Sequence, residues 1–415
     1  MSKKSLVTGI MLLVLFGFFT SGSAVAQKKN FDYSFYGFVR GDLYYNSRSN
    51  MEGVDGLYYL FPKDVLPDPD GKDLNATYNG SFYAFTTRMG FDMKGPNVGN
   101  AKTTAKIETD FGGLTDMNFL LRLRHAYVKL DWDKGSSLQL GHSWHPLFGE
   151  VLPTVLDLST GAPFQPFSRC PLINYQYRRS GLTLTTAAMY QMIFTSFGPS
   201  GRGEQYIKNG FLPELYAGLS YRKNTFIVGM GADIISIKPR LQSVYNGNTF
   251  RVDERVTAFS YTLFAEYAYN KLKVSGKTLL TANQGHTNMI GGYGVSKQNS
   301  RTGEQEYTSF RQSVSWLNIV YGNQYQGALF AGYTKNLGTP DPLLNTTNLY
   351  GMGMDIDRFA HLSLIMRYVV PHWNFGFEYT LATAWYGDIN LSNGKVKNTH
   401  DVTNHRMKAV FMYLF

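Results

Sequence analysis

A single cysteine, Cys170, stands in a chain of 415 residues. One thiol excludes an internal disulfide framework and any multi-cysteine metal site. Charged residues make up only 17%, whereas a disordered chain is rich in charge and poor in aromatics. Long apolar runs are also missing. The longest covers Ile10 to Phe19, far short of the roughly 20 residues that cross a bilayer as a helix, so a helical membrane bundle is excluded. There is no P-loop, no dinucleotide fingerprint and no zinc-ligand spacing. The basic excess, net +10, is spread along the chain with no clustered run, so no nucleic-acid partner is expected. No cofactor is implied.

Aromatic residues and glycine are abundant: 29 Phe, 29 Tyr, 5 Trp and 42 Gly. The N-terminus reads as an export leader. Lys3 and Lys4 form its positive region, Ile10 to Phe19 its apolar region and Ala24-Val25-Ala26 its cleavage site. The expected leader is 1–26 and the expected mature chain 27–415, with no cysteine after the cut to carry a lipid. An exported chain of this composition is a secreted β protein or an outer-membrane barrel.

Period-2 alternation decides between them. One face of the first segment reads Phe35, Gly37, Val39, Gly41, Leu43, Tyr45, and the other Ser34, Tyr36, Phe38, Arg40, Asp42, Tyr44. The next segments repeat the pattern, with charges on one face and apolar residues ending in aromatics on the other. A soluble sandwich buries its apolar faces; paired charges on the other face suit a barrel with lipid outside and water within. Sixteen such segments occur, near 33–47, 80–94, 101–112, 117–132, 137–145, 171–178, 182–194, 213–222, 225–238, 254–269, 271–284, 308–321, 324–336, 357–370, 373–387 and 402–415. Their connections alternate short and long, except for the short link 113–116. The expected fold is therefore all-β: a 16-stranded antiparallel transmembrane barrel with short periplasmic turns and long outer loops. The last strand, ending at Phe415, should close on the first, because an open edge in lipid leaves N–H and C=O groups unsatisfied. The five tryptophans, Trp132, Trp144, Trp316, Trp373 and Trp385, fall near segment ends, where an aromatic girdle would sit.

The sharpest chemical signal is charge of inward parity. Arg40 and Asp42 lie on the first segment, Arg88 on the second, Lys106, Glu108 and Asp110 on the third, and Arg122 and Arg124 on the fourth. Closure brings Arg406 and Lys408 beside Arg40. Facing lipid at mid-depth, each Arg or Lys would cost roughly 2–4 kcal/mol, so these side chains are read as lining the pore. They form either a solvated wall without selectivity or a basic arc that lowers the barrier for anions. The loop 146–170 is apolar and Pro-rich, which a loop in water would not be. Folded into the lumen, it would bring Phe148, Glu150 and Asp157 to a constriction, the two acids opposite the arc. His142 and His145 are three apart, hence on opposite faces of a strand and no metal pair. Asp253-Glu254 and Asp355-Ile356-Asp357 read as solvated loop acids, and no metal site is expected.

The stretches Tyr36-Gly37-Phe38-Val39-Arg40-Gly41-Asp42, Ala105-Lys106-Ile107-Glu108-Thr109-Asp110-Phe111, Leu121-Arg122-Leu123-Arg124-His125-Ala126-Tyr127 and Leu140-Gly141-His142-Ser143-Trp144 together resemble the DcaP-like porins of Gram-negative outer membranes. The resemblance is clearest over about 33–150. It implies a 16-stranded barrel, a homotrimer and passive uptake of small solutes, with negatively charged ones favoured. The loop from Pro146 is similar in position to the inward third loop of general porins. The chain departs from the pattern in one respect: family members can carry a coiled-coil segment before the barrel, and here only Gln27 to Asp32 separate leader and first segment. The expectation is an outer-membrane porin in contact with lipid, passing small polar or anionic solutes and not an enzyme. The alternatives are a barrel hydrolase and a surface or adhesive barrel without channel activity.

Overall fold

A computed structural model describes residues 31–112 and 120–415; the expected leader and the expected link 113–116 lie outside these. Sixteen antiparallel strands close into one barrel. They are β1 (Asp32–Asn46), β2 (Asn79–Tyr83 continued by Arg88–Val98), β3 (Ala101–Asp110), β4 (Arg122–Trp132), β5 (Ser136–Trp144), β6 (Arg169–Arg179), β7 (Leu182–Met189) and β8 (Glu214–Lys223). The second half comprises β9 (Phe226–Ile237), β10 (Val256–Tyr269), β11 (Leu272–Ala282), β12 (Arg311–Gly322), β13 (Tyr325–Gly338), β14 (Ile356–Val370), β15 (Trp373–Ile389) and β16 (Val396–Leu414). Every expected segment overlaps one of these strands. No described helix is long and apolar enough to cross a membrane.

Each strand pairs with its sequence neighbours, and β1 also pairs with β16, from Phe38 opposite Leu414 to Asn46 opposite Arg406. Phe415 completes the seam: Gly37 and Phe415 exchange backbone hydrogen bonds of 3.2 and 3.1 Å, and the Phe415 ring stacks on Phe35 at 5.5 Å. A Cβ on Gly37 would come within 2.8 Å of that ring, so the closing contact needs a residue without one. β2 is broken at 84–87 because Thr87 Oγ1 takes over the local bonding. It accepts from the Arg40 N–H at 3.3 Å and donates to the Ala84 carbonyl at 2.7 Å, a side-chain substitute for the ladder. A register shift opposite Glu108 and Thr109 bulges β4 at Arg124. The extra residue lets Arg122 and Arg124 reach the same carboxylate.

The outer surface is apolar, as expected for contact with lipid: Phe259, Tyr261, Leu263, Leu280, Leu364 and Met366 are all more than half exposed. The interior is polar on only part of the wall. The inward faces of β10 to β15 carry Phe264, Leu279, Trp316, Phe330, Phe359 and Ala382, all buried in one hydrophobic core. Trp144 and Trp316 belong to this interior and not to a girdle, whereas Trp373 is exposed beside Phe375 and Tyr413.

Candidate functional site

The barrel has a core because two outer loops fold into it. Loop 145–168, after β5, crosses the lumen, with Val151 and Phe164 fully buried. Its first turn is held by Lys277 of β11, whose Nζ donates to the carbonyls of Leu147 (3.2 Å) and Phe148 (2.8 Å). Next, the Thr154 N–H donates to Asn318 Oδ1 of β12 at 2.8 Å. On the far wall the Leu156 N–H donates to Glu378 of β15, and Arg40 Nη2 donates to the Leu156 carbonyl at 2.6 Å. Inward glycines make room for it. A Cβ on Gly332 would sit 2.5 Å from the Phe164 ring, and one on Gly376 would sit 2.7 Å from Leu156.

The second loop, 47–78, carries a hairpin of Asn50–Gly53 with Tyr58–Pro62. By its length this connection is expected to be an outer loop. Its Tyr58-Tyr59-Leu60-Phe61 run is buried, the same apolar signal that marked the other loop. The two loops meet at Asp157. Its Oδ1 accepts the Tyr59 N–H at 3.1 Å, and its Oδ2 lies 3.0 Å from Arg406 Nη2 and 3.6 Å from Lys408 Nζ. Burial alone would raise the Asp157 carboxyl. Lys408, Arg406 and the N–H groups of Ser159 and Tyr59 outweigh it and hold it below its ordinary value.

Between the loops and the wall of β1 to β5 remains a cavity of about 1260 Å³. Arg40, Arg88, Arg122, Arg124 and Trp144 line it from the strands, and Phe148, Leu152 and Leu158 from the 145–168 loop. The arginines are held by carboxylates behind them. Arg40 Nη2 lies 2.7 Å from Asp42, and Arg122 Nη2 lies 2.7 Å from Asp110. Arg124 bridges Glu108 (2.8 Å) and Asp110 (2.9 Å). Arg88 Nε is 3.6 Å from Glu108, and its guanidinium stands 4.9 Å over the Phe38 ring. Four cations thus face three carboxylates, and the pairing fixes their direction. Toward the outer loops the lining turns acidic, with Glu52, Asp55, Asp64 and Asp355. Glu52 and Asp355 meet the lumen, yet the walls around them desolvate both carboxyls and raise them above the ordinary range.

Of the residues singled out from the sequence, Arg40, Arg88, Asp110, Arg122, Arg124, Phe148 and Asp157 line this one cavity. Asp42 and Glu108 are buried behind its wall. Besides these two, four residues expected at the pore lie elsewhere. Arg406 and Lys408 are only 2% exposed; they anchor the loops by donating to the carbonyls of Gly56 (2.7 Å) and Leu57 (3.3 Å). Lys106 points to a small pocket at the short-turn end, 3.1 Å from Asp92. Glu150 does not face the arc: it pairs with Arg222 of β8 at 2.6 Å. The reason is common to all four. Parity fixes the face of a strand but not the depth along it, nor what a loop lays over it.

Two further cations had no sequence signal. Arg202 lines the cavity and stands 4.4 Å over the Phe197 ring. Arg169 is fully buried, 4.7 Å from the Trp144 ring centre and within 5.6 Å of those of Phe167 and Phe194. The structure also brings Ser143 Oγ to 3.3 Å from His125 Nδ1, with Glu108 3.9 Å from the other ring nitrogen. Neither Ser143 nor His125 lines the cavity, and Glu108 is already committed to Arg124 and to the Tyr36 hydroxyl at 2.9 Å.

No protein-family model and no curated protein matches the chain. Solved structures do. The outer-membrane channel DcaP of Acinetobacter baumannii superposes with a TM-score of 0.68 over 94% of this chain and 99% of its own, at 19% identity. An anion-selective porin from Comamonas acidovorans follows at a TM-score of 0.53 and 12% identity, over 93% of this chain and 100% of its own. OmpF of Salmonella typhi, in complex with daunomycin, gives the same score and identity over 92% and 97%. The chain is therefore similar to DcaP over almost its whole length, and its fold is that of an outer-membrane porin barrel.

Proposed function

We propose that this barrel passes small hydrophilic solutes across the outer membrane by diffusion, with a mild preference for anions. The observation that carries the reading is the cavity, lined by four arginines of the strands and by the inward loop. The lining holds six basic residues, Arg40, Lys63, Arg88, Arg122, Arg124 and Arg202, and six acidic ones, so the preference rests on the clustering of the arginines and not on a net excess, and is mild. An anion-selective porin shares the fold; that selectivity belongs to that protein and supports the proposal only by analogy. The homotrimer and the export leader 1–26 remain parts of the same proposal, open to cross-linking and to N-terminal sequencing of membrane-inserted protein.

Reversal potential across a planar bilayer in a dilute salt gradient tests the proposal. Anion preference is expected, and cation selectivity at low salt would overturn it. The preference should weaken at 1 M salt, where the Debye length falls to about 3 Å.

Acidification should strengthen it. Glu52 and Asp355 have raised carboxyls, so they take up protons at a higher pH than ordinary carboxylates. Each proton removes a negative charge, and the lumen becomes more positive. Asp157, held low, stays ionised through that window, so the loop anchor survives. Replacing Glu52 with Gln should abolish part of the shift. Anion preference that declines from neutral pH toward mildly acidic pH would contradict the assignment.

A further inference from the structure

Away from the pore cavity, four segments converge on a buried knot. His145 follows β5 and begins the constriction loop, Glu214 opens β8, Asp233 lies in β9, and His286 sits in the short turn Gly285–Thr287 after β11. All four are at most 2% exposed, and none lines the main cavity. The Nε2 atoms of His145 and His286 approach one oxygen, Glu214 Oε1, at 3.2 and 2.9 Å. One ligand atom from each of these three side chains lies within 4.8 Å of the others. A tetrahedral zinc ion with bonds of roughly 2.0–2.2 Å spaces its ligand atoms by about 3.4 Å, so small rotations suffice to admit it.

A second observation points the same way. The Asp233 carboxylate lies against that of Glu214. Its Oδ2 accepts from Gln284 Nε2 at 2.9 Å, but Oδ1, fully buried, has no hydrogen-bond partner. Two buried carboxyls side by side are not both charged unless a cation lies between them; without one they share a proton. Both histidines already aim at Glu214, which leaves Asp233 Oδ1 unserved.

We propose that His145, Glu214 and His286 form a binding site for a divalent transition-metal ion of the zinc class, with the Asp233 carboxyl beside it. Two imidazole nitrogens and one carboxylate oxygen are a donor set such ions accept, with the fourth position left to water. The ion offsets the charge of Glu214 and of the Asp233 carboxyl that lies against it. One contact opposes it. The Leu147 N–H donates to His145 Nδ1 at 3.2 Å, and with a metal on Nε2 that nitrogen carries the proton. A single long neutral hydrogen bond is given up for a coordinate bond. A second cost is that His286 Nδ1, which has no partner, becomes a buried N–H without an acceptor. Bound there, the ion ties the root of the constriction loop to β8 and the loop after β11. Its role is that of a brace, and the inference does not depend on which solute passes the pore.

The test uses the folded full-length barrel in detergent, stripped with a chelator and titrated with zinc chloride, then with cobalt chloride. The expected result is one ion per chain retained through gel filtration, with the visible bands of four-coordinate cobalt. His286→Ala and Glu214→Gln should weaken binding at least about tenfold, the smallest loss seen when even an outer partner of a metal ligand is removed. His400→Ala, which breaks the exposed pair with Asp64, should leave binding unchanged. If the first two variants fail to fold, thermal unfolding of the wild type against Asp233→Asn decides. Zinc should raise the midpoint of the former much more than that of the latter. Absence of stoichiometric binding to the wild type, equal binding by folded His286→Ala, or an equal zinc shift in Asp233→Asn would show that the knot holds shared protons and no metal.

Discussion

Deleting residues 151–163 is expected to raise single-channel conductance severalfold while the barrel still closes. The deleted segment carries Val151, Leu156 and Asp157, which lie inside the lumen, and it supplies the contacts to Asn318, Glu378, Arg406 and Lys408. None of these is a ladder bond of the barrel. Every strand keeps both of its neighbours, and the β1–β16 seam is untouched. Stability should fall nonetheless. The deleted segment buries Val151, Leu156 and Ala162 in the hydrophobic core, and losing the burial of one large apolar side chain costs about 1.5–3 kcal/mol. Removing Asp157 also strips Arg406 and Lys408 of a shared partner, and breaking a buried pair costs about 3–5 kcal/mol. Planar-bilayer recordings together with the heat-modified electrophoretic mobility of the folded barrel measure both effects. A folded variant with wild-type conductance would mean that the solute path does not run past this loop.

The second large effect is expected from Arg122→Gln with Arg124→Gln: the reversal potential should move toward cations, past neutrality. Both arginines line the cavity and both hold Asp110, while Arg124 also holds Glu108. Neutralising them removes two positive charges and releases two carboxylates toward the lumen. Unit charges about 4 Å apart interact by about 1 kcal/mol in bulk water and about 4 kcal/mol at an effective dielectric of 20. A confined aqueous passage lies between those limits, and about 1.4 kcal/mol is already a tenfold change in preference. Glutamine is the informative replacement. Glutamate at both positions would gather four carboxylates on two adjacent strands and would test folding instead of permeation. If the double variant folds and keeps the wild-type reversal potential, the charges that set selectivity lie elsewhere; Arg202 would be the next to examine.

Much of this architecture was legible in the residues. Alternation along Phe35 to Tyr45 and its repeats located all sixteen strands, because lipid on one face and protein on the other impose a period of two on every strand. The short and long connections placed the loops at their correct ends. The apolar run from Pro146 to Phe167 marked a loop that could not rest in water. The same argument applied to Tyr58-Tyr59-Leu60-Phe61 would have found the second inward loop. That run was short and sat in a long connection, where only its burial in the fold distinguishes it from a surface hairpin.

The sequence by itself therefore determined the strand count and the facing of the charged stripe, since both follow from local pattern and solvent; it marked the 146–170 loop as unable to rest in water but left open where that loop packs. Only the tertiary structure decided which charges meet. Arg406 and Lys408 share their parity with Arg40, yet the 47–78 hairpin and Asp157 cover them, so they serve as anchors. Glu150 lies only seven positions before Asp157, and it turns to Arg222 on the opposite wall. The inward faces of β10 to β15 proved apolar because a loop from β5 fills them, a partner far away in the chain. His145, Glu214, Asp233 and His286 stand too far apart in sequence for any spacing rule to join them. Contact between distant segments depends on barrel closure and loop trajectory, and no local periodicity encodes either.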